Sequence, residues 1–466
     1  MQDQLITIGL GLLHATGCIL ALHALERPHS PQGTIAWMMG LILLPGFTIP
    51  LYLVLGASRI HRHTTSRHSR EQIQKFLKLH RAWTPAPDRI HKLLAHVTGY
   101  AACHENKVKV LCNGNETYRE LLYAIRNAKE SILLEFFIIR NDSVGNTLRN
   151  ALVERAKAGV QVYVIYDEVG CHKLPAGYLN KLRTAGVHVA SFNGKRFWLS
   201  SILRINLRNH RKLVVIDSQC AFLGSLNIGL EYTQRKGRPS WRDTFVELCG
   251  PVVSQCILSF CDDWRRATGK SILQLARPCP PAGETLCQLI PSGPDDGPMN
   301  AWQLSLLEMA AQANERLWLT SPYFVPTEAV LNALQAAALR GVDVRILVPR
   351  RGDHLAAHLA MLTFIPSLLA CNIRLHAYEP GFLHEKVCVT DGHLSSIGTA
   401  NLDERSLHLN YELTLLIRNR ETTEEIARML EKDMKDTTML TQADWYKSSI
   451  CLRLLANCCR LLSPAL

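Results

Sequence analysis

NHRKLVVIDSQCAFLGSLN, residues 209–227, and LHEKVCVTDGHLSSIGTAN, residues 383–401, are one pattern written twice. The first copy carries His210, Lys212, Asp217, Gly224, Ser225 and Asn227; the second carries His384, Lys386, Asp391, Gly398, Thr399 and Asn401. Every interval is preserved, and the copies stand 174 residues apart. On an extended segment, a histidine and a lysine two positions apart face the same side, while Arg211 or Glu385 between them points elsewhere. The apolar runs after each lysine carry the strand into a core and end at Asp217 or Asp391. Each glycine then permits close backbone approach to a bound oxyanion, and the neighbouring hydroxyl and amide are donors for it. One copy is half of a phosphate-binding wall. Two facing copies make one pocket with two histidines, two lysines and two asparagines.

Outward from these copies the chain alternates strands and helices. Val108–Leu111, Ser131–Ile138 and Gln161–Tyr166 read as strands, with helices over Thr117–Ala128 and Asn146–Ala158, the latter stopped by Gly159. The order returns with helix Leu304–Gln312, strand Arg316–Thr320, helix Ala329–Leu339 and, after Gly341, strand Val342–Val348. AKAGVQVYVIY and AALRGVDVRILVP match in order and character. The fold class is α/β, built from two related halves that share one site.

The N-terminal region differs. Leu5–Leu25 and Thr34–Ser58 contain no Asp, Glu, Lys or Arg, and each is long enough to cross a bilayer. They read as a two-helix transmembrane hairpin, with one span plus a shallow re-entrant segment or a buried soluble hairpin as alternatives. A cleaved signal peptide fits less well, because no basic residue precedes Leu5 and a second apolar stretch follows. Only Arg27 among Lys and Arg lies between the stretches, whereas Arg59, Arg62, Arg67, Arg70, Lys75, Lys78 and Arg81 follow the second, opposed by Glu71. The positive-inside tendency places that segment, and the body after it, in the cytoplasm. The expected divisions are a transmembrane hairpin over 1–58, a basic linker over 59–105, a first half over 106–275, an inter-half linker over 276–300 and a second half over 301–466.

Lysine and arginine outnumber aspartate and glutamate 52 to 40, a formal charge of +12. That excess favours an anionic partner, and the basic run beside apolar stretches favours acidic lipid over nucleic acid. Fifteen scattered cysteines include no Cys-x-x-Cys pair, in keeping with a reducing compartment. No zinc-site spacing and no acidic metal cluster is evident, so neither a metal nor a cofactor is expected.

The duplicated His-x-Lys-x4-Asp motif resembles that of the phospholipase D superfamily. The fuller resemblance is to the bacterial cardiolipin synthases within it, through RPHSPQGTIAWMMGLILLPGFTIPLYLVLG (27–56), SPYFVPTEAVLNAL (321–334), YEPGFLHEK (378–386) and GTANLDERSLHLNYE (398–412). The resemblance implies transfer of a phosphatidyl group between two phosphatidylglycerol molecules at a bacterial inner membrane, with release of glycerol. It implies His210 as nucleophile and His384 as acid–base, although the sequence symmetry itself does not order them. A hydrolase, or a transferase using another alcohol or lipid, could use the same machinery. Lys212 and Lys386 are expected on non-bridging phosphate oxygens, with Asn227 and Asn401 and, as further donors, Ser225 and Thr399. Asp217 and Asp391 complete the motif, as structural and electrostatic support. From the family pattern Asp243, in WRDTFVEL, is the expected partner of His210, and Glu412, in NYELTLLI, that of His384. Three positions depart from the pattern: Thr399 for serine, Leu230 for Asp, and Phe245 for His.

Other residues carry two readings each. Glu135 is either a support of the site or a solvated strand end. Glu404 and Arg405 either shape the head-group pocket or form a surface turn. His393 and His408 read as surface or supporting residues. Trp445–Leu466 is either an interfacial helix or a terminal helix packed on the body, and self-association is not readable.

Overall fold

The computed structural model describes residues 2–26, 31–56, 87–192, 207–233, 239–295 and 299–463. The chain divides into two compact units: of the described residues, 2–26 and 31–56 belong to the first and the remainder to the second. The basic run from Arg59 to Arg81 lies outside the described residues.

In the first unit, Gln2–Leu25 is one helix, and Gln4–Leu25 within it is long and apolar enough to cross a membrane. Among the described residues it alone meets that measure. The second apolar stretch, expected as another span, folds as helix Pro31–Leu43, helix Pro45–Leu51 and a π-helical turn Tyr52–Gly56. The break falls at Leu44 (φ −132°, ψ 54°), because the ring of Pro45 disfavours the helical conformation in the residue before it. The helices meet around buried Ala21, Ala24, Leu41 and Tyr52. A Cβ on Gly17 would overlap the carbonyl of Leu41, so glycine sets that close approach.

The second unit is built on one mixed sheet. Its first half supplies β1 (Cys103–Cys112), β2 (Ser131–Phe136), β3 (Gln161–Asp167), β4 (His188–Phe192), β5 (Arg208–Asn209), β6 (Leu213–Ile216), β7 (Cys220–Gly224) and β8 (Thr244–Cys249). The second half supplies β9 (Thr285–Ser292), β10 (Arg316–Thr320), β11 (Phe324–Val325), β12 (Asp343–Pro349), β13 (Arg374–Tyr378), β14 (Val387–Thr390), β15 (Leu394–Gly398), β16 (Leu402–Asp403), β17 (Asn410–Arg418) and β18 (Thr437–Met439). The order of the main sheet is β18-β13-β12-β10-β14-β15-β17-β9-β1-β8-β7-β6-β2-β3-β4, with β5 paired to β17, while β11 and β16 form a separate two-stranded sheet. Outward from the antiparallel β1–β9 junction, the halves correspond strand for strand. β8 answers β17, β7 answers β15, β6 answers β14, and parallel β2-β3-β4 answers parallel β10-β12-β13. The duplication read in the sequence is a duplication of topology.

Helices cover both faces. Val252–Thr268 and Arg420–Lys435 close one core over the central strands, including Ile257, Phe260, Ile426 and Leu430. The opposite face has a separate core in each half, one around Leu121, Leu148 and Val164 and one around Leu306, Leu334 and Ile346. The repeated phrases end their helices alike: Gly159 at φ +93° and Gly341 at φ +96° take the left-handed turn that releases the chain into β3 and β12.

Two expected linkers are partly structured. The stretch 276–300 contains β9, which pairs with both β1 and β17 at the centre of the sheet. Its prolines and glycines flank the strand, and Leu289 and Ile290 bury into the cores on either side. Within 59–105, Arg89–Thr98 is a helix capped by Asp88, with Ile90 and Leu94 buried in the second half's core.

Candidate active site

Each catalytic-motif histidine is pinned to the opposite half by its backbone. β5 pairs in parallel with the start of β17, and the amide of His210 donates to the carbonyl of Tyr411 at 2.9 Å. In mirror fashion, the amide of His384 donates to the carbonyl of Arg242 at 2.8 Å, and that of Arg242 to Phe382 at 2.9 Å. Tyr411 precedes Glu412 and Arg242 precedes Asp243. The register therefore brings each imidazole beside a carboxylate of the other half.

His210 Nδ1 lies 2.8 Å from Glu412 Oε2 and 3.0 Å from Oε1; His384 Nδ1 lies 2.7 Å from Asp243 Oδ2. This corrects the expected pairing, which kept each histidine with a carboxylate of its own half. Because a carboxylate only accepts, each Nδ1 carries its proton and leaves the Nε2 lone pair for chemistry. Both imidazoles are nearly closed off from solvent, at 8% and 6% exposure. Burial lowers the pKa of each to about 4, against the pull of its carboxylate, and neighbouring lysine charge adds to the lowering. Burial alone would raise Asp243 and Glu412, but the histidines, lysines and donated hydroxyls outweigh it and hold both ionised.

Lys212 Nζ donates to the carbonyl of His210 and Lys386 Nζ to that of His384, each at 2.6 Å. Each ammonium then has two further donors beside its histidine. Burial depresses the two lysines to about 7 and about 8. Lys212 also sits 5.4 Å from the centre of the Phe137 ring.

Other motif residues take different work from that expected. The hydroxyl of Thr399 donates to Glu412 at 2.6 Å, and that of Ser225 donates to Asp243. A hydroxyl has one proton, so these side chains orient carboxylates rather than donate to phosphate. The glycines also serve strand packing rather than an oxyanion: a Cβ on Gly224 would stand 2.6 Å from the Thr244 carbonyl, and one on Gly398 2.7 Å from that of Leu413. Asn227 accepts from the amide of Ile138 at 3.1 Å and donates to the Tyr232 hydroxyl at 3.0 Å. Asn401 Oδ1 is buried without a hydrogen-bond partner among the described residues.

Asp217 and Asp391 stand at the far ends of β6 and β14, about 20 Å of extended chain from the histidines. Asp217 accepts from the amides of Lys129, Glu130 and Ser131 at 2.7–2.9 Å. Asp391 accepts from Asn314, Glu315 and Arg316 at 2.8–3.2 Å. Both have left-handed backbones, φ +53° and +51°. They tie the start of β2 and of β10 to the turn after the motif strand and take no place beside the imidazoles.

Behind the histidines lies an ionic layer that the sequence did not reveal. Arg211 is buried and bonds Asp263, Ser259 and the carbonyl of Glu412. Glu385 occupies the corresponding position in the second half with the opposite charge. It receives Thr244 Oγ1 at 2.7 Å and pairs with Arg242 at 3.2 Å, while Arg242 holds Asp433 at 2.8 Å. Glu135 is fully buried and accepts from Asn209, beside His210, so it supports the site rather than ending a solvated strand. Asp263 and Asp433 lie on the apolar faces of their helices, with Phe260 and Leu430 one turn earlier, and that placement was the available signal.

Aromatic rings line the His384 side: Trp241 at 5.4 Å, Tyr232 at 5.7 Å and Phe382 at 6.0 Å between centroids. Phe137 packs edge-on against His210 at 5.0 Å. Arg405 is half-buried near Arg208, Asp167 and Glu412, on the rim of the His210 side, and His393 is exposed. Two neutral nucleophilic nitrogens, two adjacent ammonium groups and a closed surround suit transfer of a phosphoryl-type group between two oxygens.

Comparison with known proteins agrees. A family model described as "Cardiolipin synthase, PLD-like domain" matches residues 121–236 and 306–434, one segment in each half. Cardiolipin synthase A of Pseudomonas putida (strain W619) is 39% identical, covering 98% of both chains. That of Pseudomonas syringae pv. syringae (strain B728a) is 38% identical with the same coverage. Phosphatidylserine synthase of Haemophilus influenzae Rd KW20 shares the fold, with a TM-score of 0.60 at 12% identity over 77% of this chain and 95% of its own.

Proposed function

The chain belongs to the cardiolipin synthases with PLD-like domains, a family of phosphatidyltransferase enzymes, and from that premise we propose that it joins two phosphatidylglycerol molecules into cardiolipin and releases glycerol. The observation that carries this reading is the reciprocal pair His210–Glu412 and His384–Asp243, with a lysine beside each imidazole.

In the first displacement, His210 Nε2 attacks the phosphodiester phosphorus of one phosphatidylglycerol. The bond from phosphorus to the glycerol oxygen breaks, and protonated His384 gives its Nε2 proton to that oxygen. A phosphatidyl group remains on His210. In the second displacement, the hydroxyl of another phosphatidylglycerol passes its proton to His384 and attacks phosphorus, breaking the P–N bond. The ester count is unchanged, so no external energy source is needed. Burial holds both imidazoles neutral near pH 7. An incoming phosphodiester anion favours protonation of His384, which Asp243 then stabilises. Lys212 and Lys386, with the amides of Asn227 and Asn401, receive the non-bridging oxygens as charge builds on them.

The N-terminal unit anchors the chain in a bacterial inner membrane, the two apolar stretches crossing it and the basic run after them facing the cytoplasm. The charge asymmetry supports that orientation.

The test is full-length protein in phosphatidylglycerol vesicles without added nucleotide or metal. Cardiolipin and glycerol should appear in equal amounts, and His210→Ala or His384→Ala should abolish both. Phosphatidic acid as the dominant product would replace transfer with hydrolysis.

A further inference from the structure

The helix Ile450–Leu461 has an apolar face on each side. Ala456 and Cys459 bury into the second half's core, and Arg460 lies 4.5 Å from the centre of the Phe364 ring. Ile450, Leu454, Leu455, Leu461 and Leu462 lie on the other side, exposed; Leu454 is 61% and Leu461 81% accessible. Their spacing places them on one stripe along the helix. Single exposed leucines are ordinary on a protein surface, but a continuous stripe of them is not.

The position of this stripe relates it to the site. From His384 the rings of Phe382, Tyr323 and His354 follow one another at 6.0, 6.5 and 5.7 Å. Tyr323 also donates to Asp353 at 2.8 Å. The helix Leu355–Leu362 starts at the next residue after His354, with Leu355 itself 70% exposed, and the helix Ile450–Leu461 packs along it. The apolar stripe therefore adjoins the element that leads from the His384 side of the site to the surface.

Charge selects the occupant. From Tyr446 to Leu466 the chain has no Asp or Glu and carries Lys447, Arg453 and Arg460. A leucine stripe on a helix whose charged residues, Arg453 and Arg460, are both cations suits the boundary between acyl chains and anionic head groups. A second copy of the chain would bring the same three cations against themselves.

We propose that the face formed by Ile450, Leu454, Leu455, Leu461 and Leu462 is a membrane-contact surface, which seats the His384 side of the site on an anionic lipid bilayer. The surface rests on the lipid-transfer reading of the site and extends it: a phosphodiester can reach the buried imidazoles while its acyl chains stay out of water.

The experiment uses full-length protein in vesicles of phosphatidylcholine and phosphatidylglycerol with a trace of phosphatidylglycerol bearing a diazirine on its acyl chain. Irradiation should place lipid adducts on the segment 450–462. Leu454→Glu with Leu461→Glu should reduce those adducts and raise the KM for vesicle phosphatidylglycerol, each by about tenfold. Turnover of a short-chain, monomeric phosphatidylglycerol should change by less than about twofold, which separates lost seating from misfolding. Wild-type protein with no adducts on 450–462 would overturn the proposal, as would protein crosslinks joining this segment in two copies. Adducts without turnover would leave the surface standing and refute the transfer reading instead.

Discussion

Glu412 of the second half holds His210 of the first, at 2.8 Å from Nδ1, and Asp243 of the first half holds His384 of the second at 2.7 Å. Each half thus supplies one imidazole and the support for the other. The backbone makes the same exchange through Tyr411 and Arg242, so the two pairs form or fail with the docking of the halves.

This crossing gives separable effects for the two carboxylates. In the proposed mechanism Glu412→Gln removes support from the nucleophile, whereas Asp243→Asn removes it from the acid–base. Each should lower kcat by about 10²–10⁴-fold. With a phosphatidyl nitrophenyl ester, whose leaving group needs no proton, Asp243→Asn should still release a burst of nitrophenol. Glu412→Gln should show none. The opposite assignment of the bursts would reverse the roles of the histidines.

In the proposed mechanism the lysines, as partners of the phosphate, set the alkaline limit. Burial depresses Lys212 to about 7 and Lys386 to about 8, below the ordinary value of 10.5. As pH rises through that range the phosphate loses its cationic partners, and kcat/KM should fall. Folding responds with the opposite sign. Between the depressed values and 10.5 the unfolded chain binds more protons, so these two groups make stability rise with pH. Activity should therefore decline through pH 7–8 with circular dichroism unchanged. A flat kcat/KM up to pH 10 would refute the assignment.

The fold was more legible in the sequence than the wiring of the site. Gly159 and Gly341 end helices that the alternation already implied, and the constant intervals between His210 and Asn227 and between His384 and Asn401 gave the duplication. Strand β9 was hidden because LCQLI is short and lies among prolines and glycines. The crossed pairs were hidden because their register is set by contacts of one or two residues, at Asn209–Tyr411 and Arg242–Leu383, which leave no periodic signal. Ser225 and Thr399 read as donors, but a hydroxyl near a phosphate motif does not disclose that a buried carboxylate takes its proton.

Asp217 and Asp391 belong to the motif, yet their carboxylates receive backbone amides at strand starts. Asp217→Ala or Asp391→Ala should lower stability by about 1–3 kcal/mol through the lost charge-assisted bonds and the strained turn. Among molecules that remain folded, kcat should stay within about threefold of wild type. Thermal unfolding and active-site titration check the two halves of the statement. A hundredfold loss of kcat in stable protein would return these residues to the chemistry.

Arg242 is the residue whose loss should disturb the buried layer most, because it pairs with both Glu385 and Asp433. Glu385→Gln leaves Arg242 with both oxygens of Asp433 at 2.8–2.9 Å, and should cost about 1 kcal/mol or less. Arg242→Met strands two buried carboxylates and should cost about 3–5 kcal/mol at neutral pH. The sign of its pH dependence also follows. Burial already pushes Glu385 up to about 7 against the pull of Arg242, and losing the guanidinium removes that pull, so the folded state binds more protons and stability falls as pH rises above about 4.5. Thermal unfolding of the purified full-length variant should give a higher midpoint at pH 5 than at pH 8. Equal losses in Glu385→Gln and Arg242→Met would show that Asp433 does not depend on Arg242.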